Sequence, residues 1–158
     1  MRNRKEEPLY LDYDDVLVGH KKSSRMYEVS AEDIVNFARQ WNPEPFHLSA
    51  SAAQARGFDN LFASGVHLLS VAVKLCNECT PLPRFVAGLA WDEIRFHLPV
   101  YAGDAVRVEM RCVDKRRSSA PGRAVFDYQV RLLNQAAACV LSYSTTALAE
   151  VLPGGNAN

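Results

Sequence analysis

Between Leu61 and Cys76 the chain is apolar almost all round, and its only polar side chains, Ser64, His67, Ser70 and Lys74, fall at steps of three or four residues. At helical spacing these form one narrow stripe, and a helix with so thin a polar face belongs inside a domain. The run is too short for a membrane span and carries His and Lys. A buried helix needs walls, so the rest of the sequence must supply them.

The walls are read downstream. From about Arg84 to Val151 the hydrophobic period changes from 3.6 to 2. Ile94, Phe96 and Leu98 alternate with Arg95 and His97, and Val106, Val108, Met110 and Cys112 alternate with Arg107, Glu109 and Arg111. Phe126, Tyr128, Val130 and Leu132 repeat the pattern, and the β-branched and small residues of Val140 to Leu148 make a last strand. Each of these strands is expected to turn one face to the core. Ser118 to Gly122 and Asn134-Gln135 supply the turns between them. One or two earlier strands are expected within Tyr10 to Val29.

Upstream of the apolar run, Ser30-Ala-Glu-Asp33 opens a helix in the manner of a capping box, and Ile34, Phe37, Ala38 and Trp41 continue it at helical spacing. Pro43 stops it, because a proline pushes the residue before it out of the helical region. Asn42 to His47 is therefore expected as an ordered turn. A short helix over Ser51 to Arg56 would end at Gly57, which can adopt a left-handed cap. Helices followed by a run of strands give an α+β domain, with an antiparallel sheet curled around one apolar helix in a hot-dog-like arrangement. One such domain is expected, with a core over about 10–151 and a loose tail from Pro153 to Asn158. A single curled sheet leaves an edge uncovered, which favours a homodimer.

Composition narrows the function. The 158 residues carry eighteen Lys plus Arg and eighteen Asp plus Glu, so no positive field points to nucleic acid or an anionic membrane. Met1 to Glu7 is charged and no apolar leader follows, which reads as cytoplasmic. Four cysteines in such a chain make no disulfide framework. The spacing Cys76-Asn-Glu-Cys79 has neither a second cysteine pair nor suitably spaced histidines, so no metal is expected there. It also lies at the far end of its helix, the wrong end for a thioredoxin-type thiol.

Two stretches carry chemistry: Asn42-Pro-Glu-Pro-Phe-His47 and Phe62-Ala-Ser-Gly-Val-His67. With Gly103-Asp104 after a proline-containing strand and Asn134-Gln135 in the penultimate hairpin, they resemble the MaoC-like dehydratase family, which includes the (R)-specific enoyl-CoA hydratases. The resemblance covers roughly residues 10–151. It implies a hot-dog fold, commonly dimeric, that acts on acyl thioesters of coenzyme A with no cofactor beyond the coenzyme A of the substrate. It also implies roles for His47 as acid and base and for the Gly65 amide as the group that binds the thioester oxygen. Two positions depart from the pattern. Asn42 stands where the family's hydratases carry an aspartate five residues before the histidine, and Val73 stands where they often carry a serine.

Hydration of a trans-2-enoyl thioester needs a base for water, an acid for the α-carbon and a donor for the enolate oxygen. Imidazole near neutral pH serves as both base and acid, which favours His47. A glycine amide at a helix start can meet an oxyanion, which favours Gly65, although glycine there also serves close packing. Asn42 can orient water but cannot take its proton. Glu44 is the nearest carboxylate in sequence, set between two prolines. Ser64 and His67 flank Gly65 and are candidates for touching substrate, while a serine at that place also caps a helix. Lys115-Arg116-Arg117 could reach phosphates or form a solvated turn. The expected activity is hydration of a 2-enoyl-CoA or dehydration of a 3-hydroxyacyl-CoA. An acyl-CoA-binding homologue or partner subunit without turnover, and a thioesterase, fit the same residues.

Overall fold

The computed structural model describes residues 9–151. Three short strands come first: β1 (Tyr10–Leu11), β2 (Lys21–Ser23) and β3 (Tyr27–Glu28). They are shorter and more numerous than the one or two strands expected there. Helix α1 (Ala31–Trp41), a 3-10 turn (Pro45–His47), α2 (Ala50–Gln54) and α3 (Gly65–Asn77) follow. Four long strands complete the fold: β4 (Leu82–Phe96), β5 (Ala105–Arg117), β6 (Arg123–Asn134) and β7 (Cys139–Glu150).

The strands form one sheet in the order β1-β4-β7-β6-β5-β2, with β3 also on β5. The long strands pair antiparallel as expected, but β1 lies parallel to β4, touching it only at Leu82 and Pro83. From Arg84 onward the outer edge of β4 carries no described strand. The α+β hot-dog arrangement expected from the sequence is thus the one observed.

Local signals explain the element ends. The Ser30 hydroxyl accepts from the Asp33 N–H at 3.1 Å, the bond a capping serine is there to make. Helix α1 stops at Trp41, before Pro43, with Asn42 at φ −155°. Helix α2 begins at Ala50, one residue earlier than its sequence suggests, because Ser49 caps it, its hydroxyl accepting from the Ala52 N–H. The β6–β7 turn closes on the Asn134 carboxamide, which accepts from the N–H groups of Ala136 and Ala138, both at 3.0 Å.

Helix α3 is shorter than the apolar run that announced it. Leu61 to Ala63 run extended instead: the Ala63 N–H donates to Val100 O and the Ala102 N–H to Leu61 O, both at 2.9 Å. From Gly65 the helix buries Leu68, Val71, Ala72 and Leu75 against the alternating inner faces of β5, β6 and β7. Such fully buried Leu and Val side chains stabilise a fold by about 1.5–3 kcal/mol each. The expected polar stripe is only partly a stripe: Ser70 and Lys74 face water, while Ser64 and His67 are buried. On β4 the expected core face also fails at its end. Phe96 and Leu98 are exposed, because register shifts between Asp92 and Arg95 turn the strand out of alternation.

Candidate active site

The 3-10 turn that follows Pro43 delivers His47 into the interior, where it is buried. Its Nδ1 lies 3.0 Å from the Phe62 carbonyl oxygen. A carbonyl only accepts, so Nδ1 carries the proton and Nε2 of the neutral ring is the basic nitrogen. Phe46 and Phe62 meet the imidazole edge-on at centroid distances of 4.6 and 4.7 Å and fix its plane.

The second functional group comes from the start of α3. Ser64 caps this helix: its hydroxyl accepts from the His67 N–H at 3.3 Å, and its carbonyl accepts from the Leu68 N–H. The amides of Gly65 and Val66, in the first turn, are then left without an intrahelical acceptor. They sit at the positive end of the helix dipole, a setting suited to a negatively charged oxygen. Glycine at the first of them leaves room for a neighbouring ring. A Cβ built on Gly65 would lie 2.7 Å from Cε1 and Cζ of Phe96, whose ring covers the glycine.

His47 and Gly65 line one cavity of about 480 Å³, walled mainly by apolar residues including Phe58, Phe62, Val66, Leu68 and Leu98. An imidazole and a helix-start amide therefore face one apolar space, an arrangement that can hold an acyl group, polarise its carbonyl and move a proton beside it.

The remaining candidates lie elsewhere. Asn42 is half-buried at the C-terminal cap of α1 and is not among the residues lining the cavity. Glu44 is exposed and does not line it either, so the nearest carboxylate in sequence points to solvent. No Asp or Glu is among the lining residues. Ser64 is spent on capping. His67 turns the other way and stacks on Phe37 at 4.6 Å, with an interplanar angle of 10°. Its Nδ1 is buried without a hydrogen-bond partner, and burial draws its pKa below the usual 6.5 against the opposing charge of Asp33. Placement thus separates His47 and Gly65, which share the cavity, from Ser64 and His67, which serve the interior of the helix layer.

Lys115, Arg116 and Arg117 are already engaged at the other end of the sheet. Lys115 donates to Tyr13 O at 2.7 Å, Arg116 pairs with Asp127 at 2.6 Å, and Arg117 lies over the Tyr13 ring and 3.8 Å from Asp14. The two cysteines of the C-x-x-C spacing are core residues. Cys79 donates its thiol to Leu75 O at 3.3 Å, and the Cys76 sulfur lies 4.0 Å from the Tyr143 hydroxyl, with burial pushing its pKa up to about 12.

Sequence reasoning missed two contributors. The Phe62 carbonyl, which sets the His47 tautomer, is a backbone atom and leaves no residue-type signal. Phe96, which covers Gly65, was legible only as a core strand position.

Comparison with known proteins places the fold. The family profile described as MaoC like domain matches residues 17–131. The uncharacterized protein YdeM of Bacillus subtilis is 27% identical over 104 residues, 65% of this chain and 74% of that one. The crystal structure of a MaoC-like dehydratase from Rhodospirillum rubrum superposes with a TM-score of 0.84 at 29% identity, covering 91% of this chain and 99% of the other. The unliganded R-hydratase PhaJ1 of Pseudomonas aeruginosa shares the fold at a TM-score of 0.74 and 22% identity, over 94% of this chain and 97% of that one. With a shared fold, a profile match over most of its length and the histidine and glycine motifs facing one cavity, this chain belongs to the MaoC-like domain family.

Proposed function

We propose that the protein hydrates a trans-2-enoyl thioester of coenzyme A, or dehydrates the corresponding 3-hydroxyacyl thioester. The observation that carries this reading is the shared cavity: His47, with its Nδ1 proton committed to the Phe62 carbonyl, and the free Gly65 amide line the same apolar space. In hydration, Nε2 of His47 takes a proton from water as the oxygen adds to the β-carbon, and the resulting imidazolium returns a proton to the α-carbon. The Gly65 N–H donates to the thioester oxygen as it gains enolate charge. Asn42 takes no proton and does not line the cavity, and neither does any carboxylate, so His47 acts without a carboxylate helper. The absent helper is a general acid–base contribution of about 10²–10⁴ in rate.

A second reading has a specific observation in its favour. Because no carboxylate lines the cavity, the chain would bind an acyl thioester with little turnover, as a binding protein or as one subunit of a pair. Thioester hydrolysis would use the same amide on the same carbonyl.

The deciding experiment follows loss of enoyl absorbance with short and medium trans-2-enoyl-CoA, in the wild type, His47→Ala and Asn42→Asp. Hydration that disappears in His47→Ala is the expected result. No activity in the wild type with a gain in Asn42→Asp would replace the hydratase reading by the binding one. Release of free thiol without hydration would indicate thioester hydrolysis.

The oligomeric form proposed is a homodimer through the free edge of β4. Val86, Leu89 and Trp91 are each about half exposed there, at 49%, 53% and 50%. A strand edge that is unpaired among the described residues and carries apolar side chains is a template for pairing, and a second copy offers a self-complementary edge. The bulge between Asp92 and Arg95, where Glu93 takes φ +53°, ends the regular stretch and leaves 96–98 outside that pairing.

A further inference from the structure

On the face of the sheet away from α3 lies a groove of about 550 Å³ that the catalytic reading does not use. Its walls are the outward side chains of neighbouring strands. Cross-strand pairing sets Lys21 beside Arg111, Arg111 beside Gln129 and Gln129 beside Ser144; the next row sets Glu109 beside Arg131 and Arg131 beside Ser142. The groove ends at His97, whose Nε2 lies 2.8 Å from the Ser142 hydroxyl. His97 also lines the cavity of His47 and Gly65, so both spaces border the point where the chain leaves β4.

Charge in this groove is distributed unevenly. Among the described residues, Lys21 and Arg111 have no carboxylate within ion-pair distance. Arg111 instead donates to the Gln129 side-chain oxygen at 2.8 Å, which orients its guanidinium along the sheet. Of the two carboxylates that line the groove, Glu109 is already shared by Arg107 at 3.5 Å and Arg131 at 3.8 Å, and Glu93 lies on the β4 bulge. Two uncommitted cations side by side, with hydroxyl and amide donors in the adjoining positions, form a surface matched to phosphate oxygens.

A coenzyme A thioester whose acyl end fills the cavity must place a pyrophosphate and a 3′-phosphate somewhere on a chain of zero net charge. The cavity itself is lined by no Lys or Arg, and Lys115, Arg116 and Arg117 are engaged at the far end of the sheet. From β4 to β5 there are three strand spacings, roughly 14 Å. An extended pantetheine arm spans that distance.

We propose that this groove binds the phosphorylated nucleotide end of coenzyme A, with Arg111 and Lys21 on its phosphates and the pantetheine arm turning past His97 into the cavity. The assignment rests on the acyl-thioester reading, so its test has one arm that needs no turnover. Adenosine 3′,5′-bisphosphate and desulfo-coenzyme A are titrated calorimetrically into the wild type, Lys21→Glu, Arg111→Glu and Arg111→Gln. Arg117→Glu serves as the control. Salt-sensitive binding that weakens about tenfold in each groove variant and holds in the control is expected. Arg111→Gln keeps a neutral amide, so loss there follows from charge and not from a disturbed sheet. Failure of the wild type to bind, or equal binding by all variants, overturns the proposal.

The kinetic arm compares an enoyl-CoA with the N-acetylcysteamine thioester of the same acyl group. Arg111→Glu is expected to raise KM for the first about tenfold at unchanged kcat and to leave the second unaltered. An unchanged KM for the coenzyme A ester overturns the groove. Should neither ester be hydrated while the bisphosphate still binds in an Arg111-dependent way, the hydratase reading fails and the groove stands. Turnover of an acyl carrier protein ester by a wild type that binds no bisphosphate also overturns it.

Discussion

A single hydrogen bond decides what His47 can do. With Nδ1 tied to the Phe62 carbonyl, the basic nitrogen is assigned before any ligand arrives. Asn42 lies outside the lining of the cavity, so Asn42→Asp is expected to leave initial rates of enoyl-CoA hydration at saturating substrate within about tenfold of the wild type; a gain of about 10²–10⁴ would place a carboxylate at residue 42 within reach of the water. Gly65→Ala separates chemistry from stability. The new methyl meets the outer end of an exposed Phe96 ring, which can swing aside, so thermal unfolding is expected to change by less than about 1 kcal/mol. Hydration is expected to fall by about 10²-fold, since the amide loses its close approach to the thioester oxygen. At this scale the sequence was informative where chemistry depends on residue type, as for His47 and Gly65. It was silent where chemistry depends on a backbone atom or on the direction of a side chain. Ser64 and His67 show the second limit: both flank the glycine in sequence, and helix geometry sends both inward.

Elements were legible to the extent that their ends carry caps. Ser30, Pro43, Gly57 and Asn134 each marked a boundary by a bond or a backbone angle that the structure contains. The start of α3 was misplaced because Leu61 to Ala63 are apolar in either conformation. Only pairing with Val100 and Ala102, distant in sequence, makes them extended. Ser30→Ala is expected to cost about 1 kcal/mol in urea unfolding through loss of the α1 cap. The contact between α1 and α3 brings a pH dependence. His67 is held neutral by burial against Phe37, so its folded pKa lies below the unfolded value of 6.5. Its contribution to stability is then complete above about pH 6.5 and is lost as pH falls through the folded pKa, because the unfolded chain takes up the proton first. In urea titrations across pH 7 to 5, His67→Phe is expected to lose less stability than the wild type. The same variant removes the unpartnered Nδ1, whose burial costs about 1–3 kcal/mol.

The whole molecule is a sheet with unequal edges. One side of the sheet ends in the short β2 and β3, and the other in the long β4, covered by β1 only at Leu82 and Pro83. Leu89→Lys, which puts a charge in the middle of that edge, is expected to shift sedimentation from a two-chain to a one-chain species. The strand pattern revealed that such an edge must exist. It did not reveal which strand would form it, since strand order depends on long-range pairing. The end of α3, packed against this sheet, also bears on how the protein withstands oxidising surroundings. The two free cysteines of the C-x-x-C spacing sit where thiols stay protonated: at neutral pH a Cys76 with a pKa of about 12 is thiolate in on the order of one molecule in 10⁵. Peroxide and alkylating reagents act on the thiolate, so a spacing that elsewhere signals redox work here leaves these two sulfurs chemically quiet.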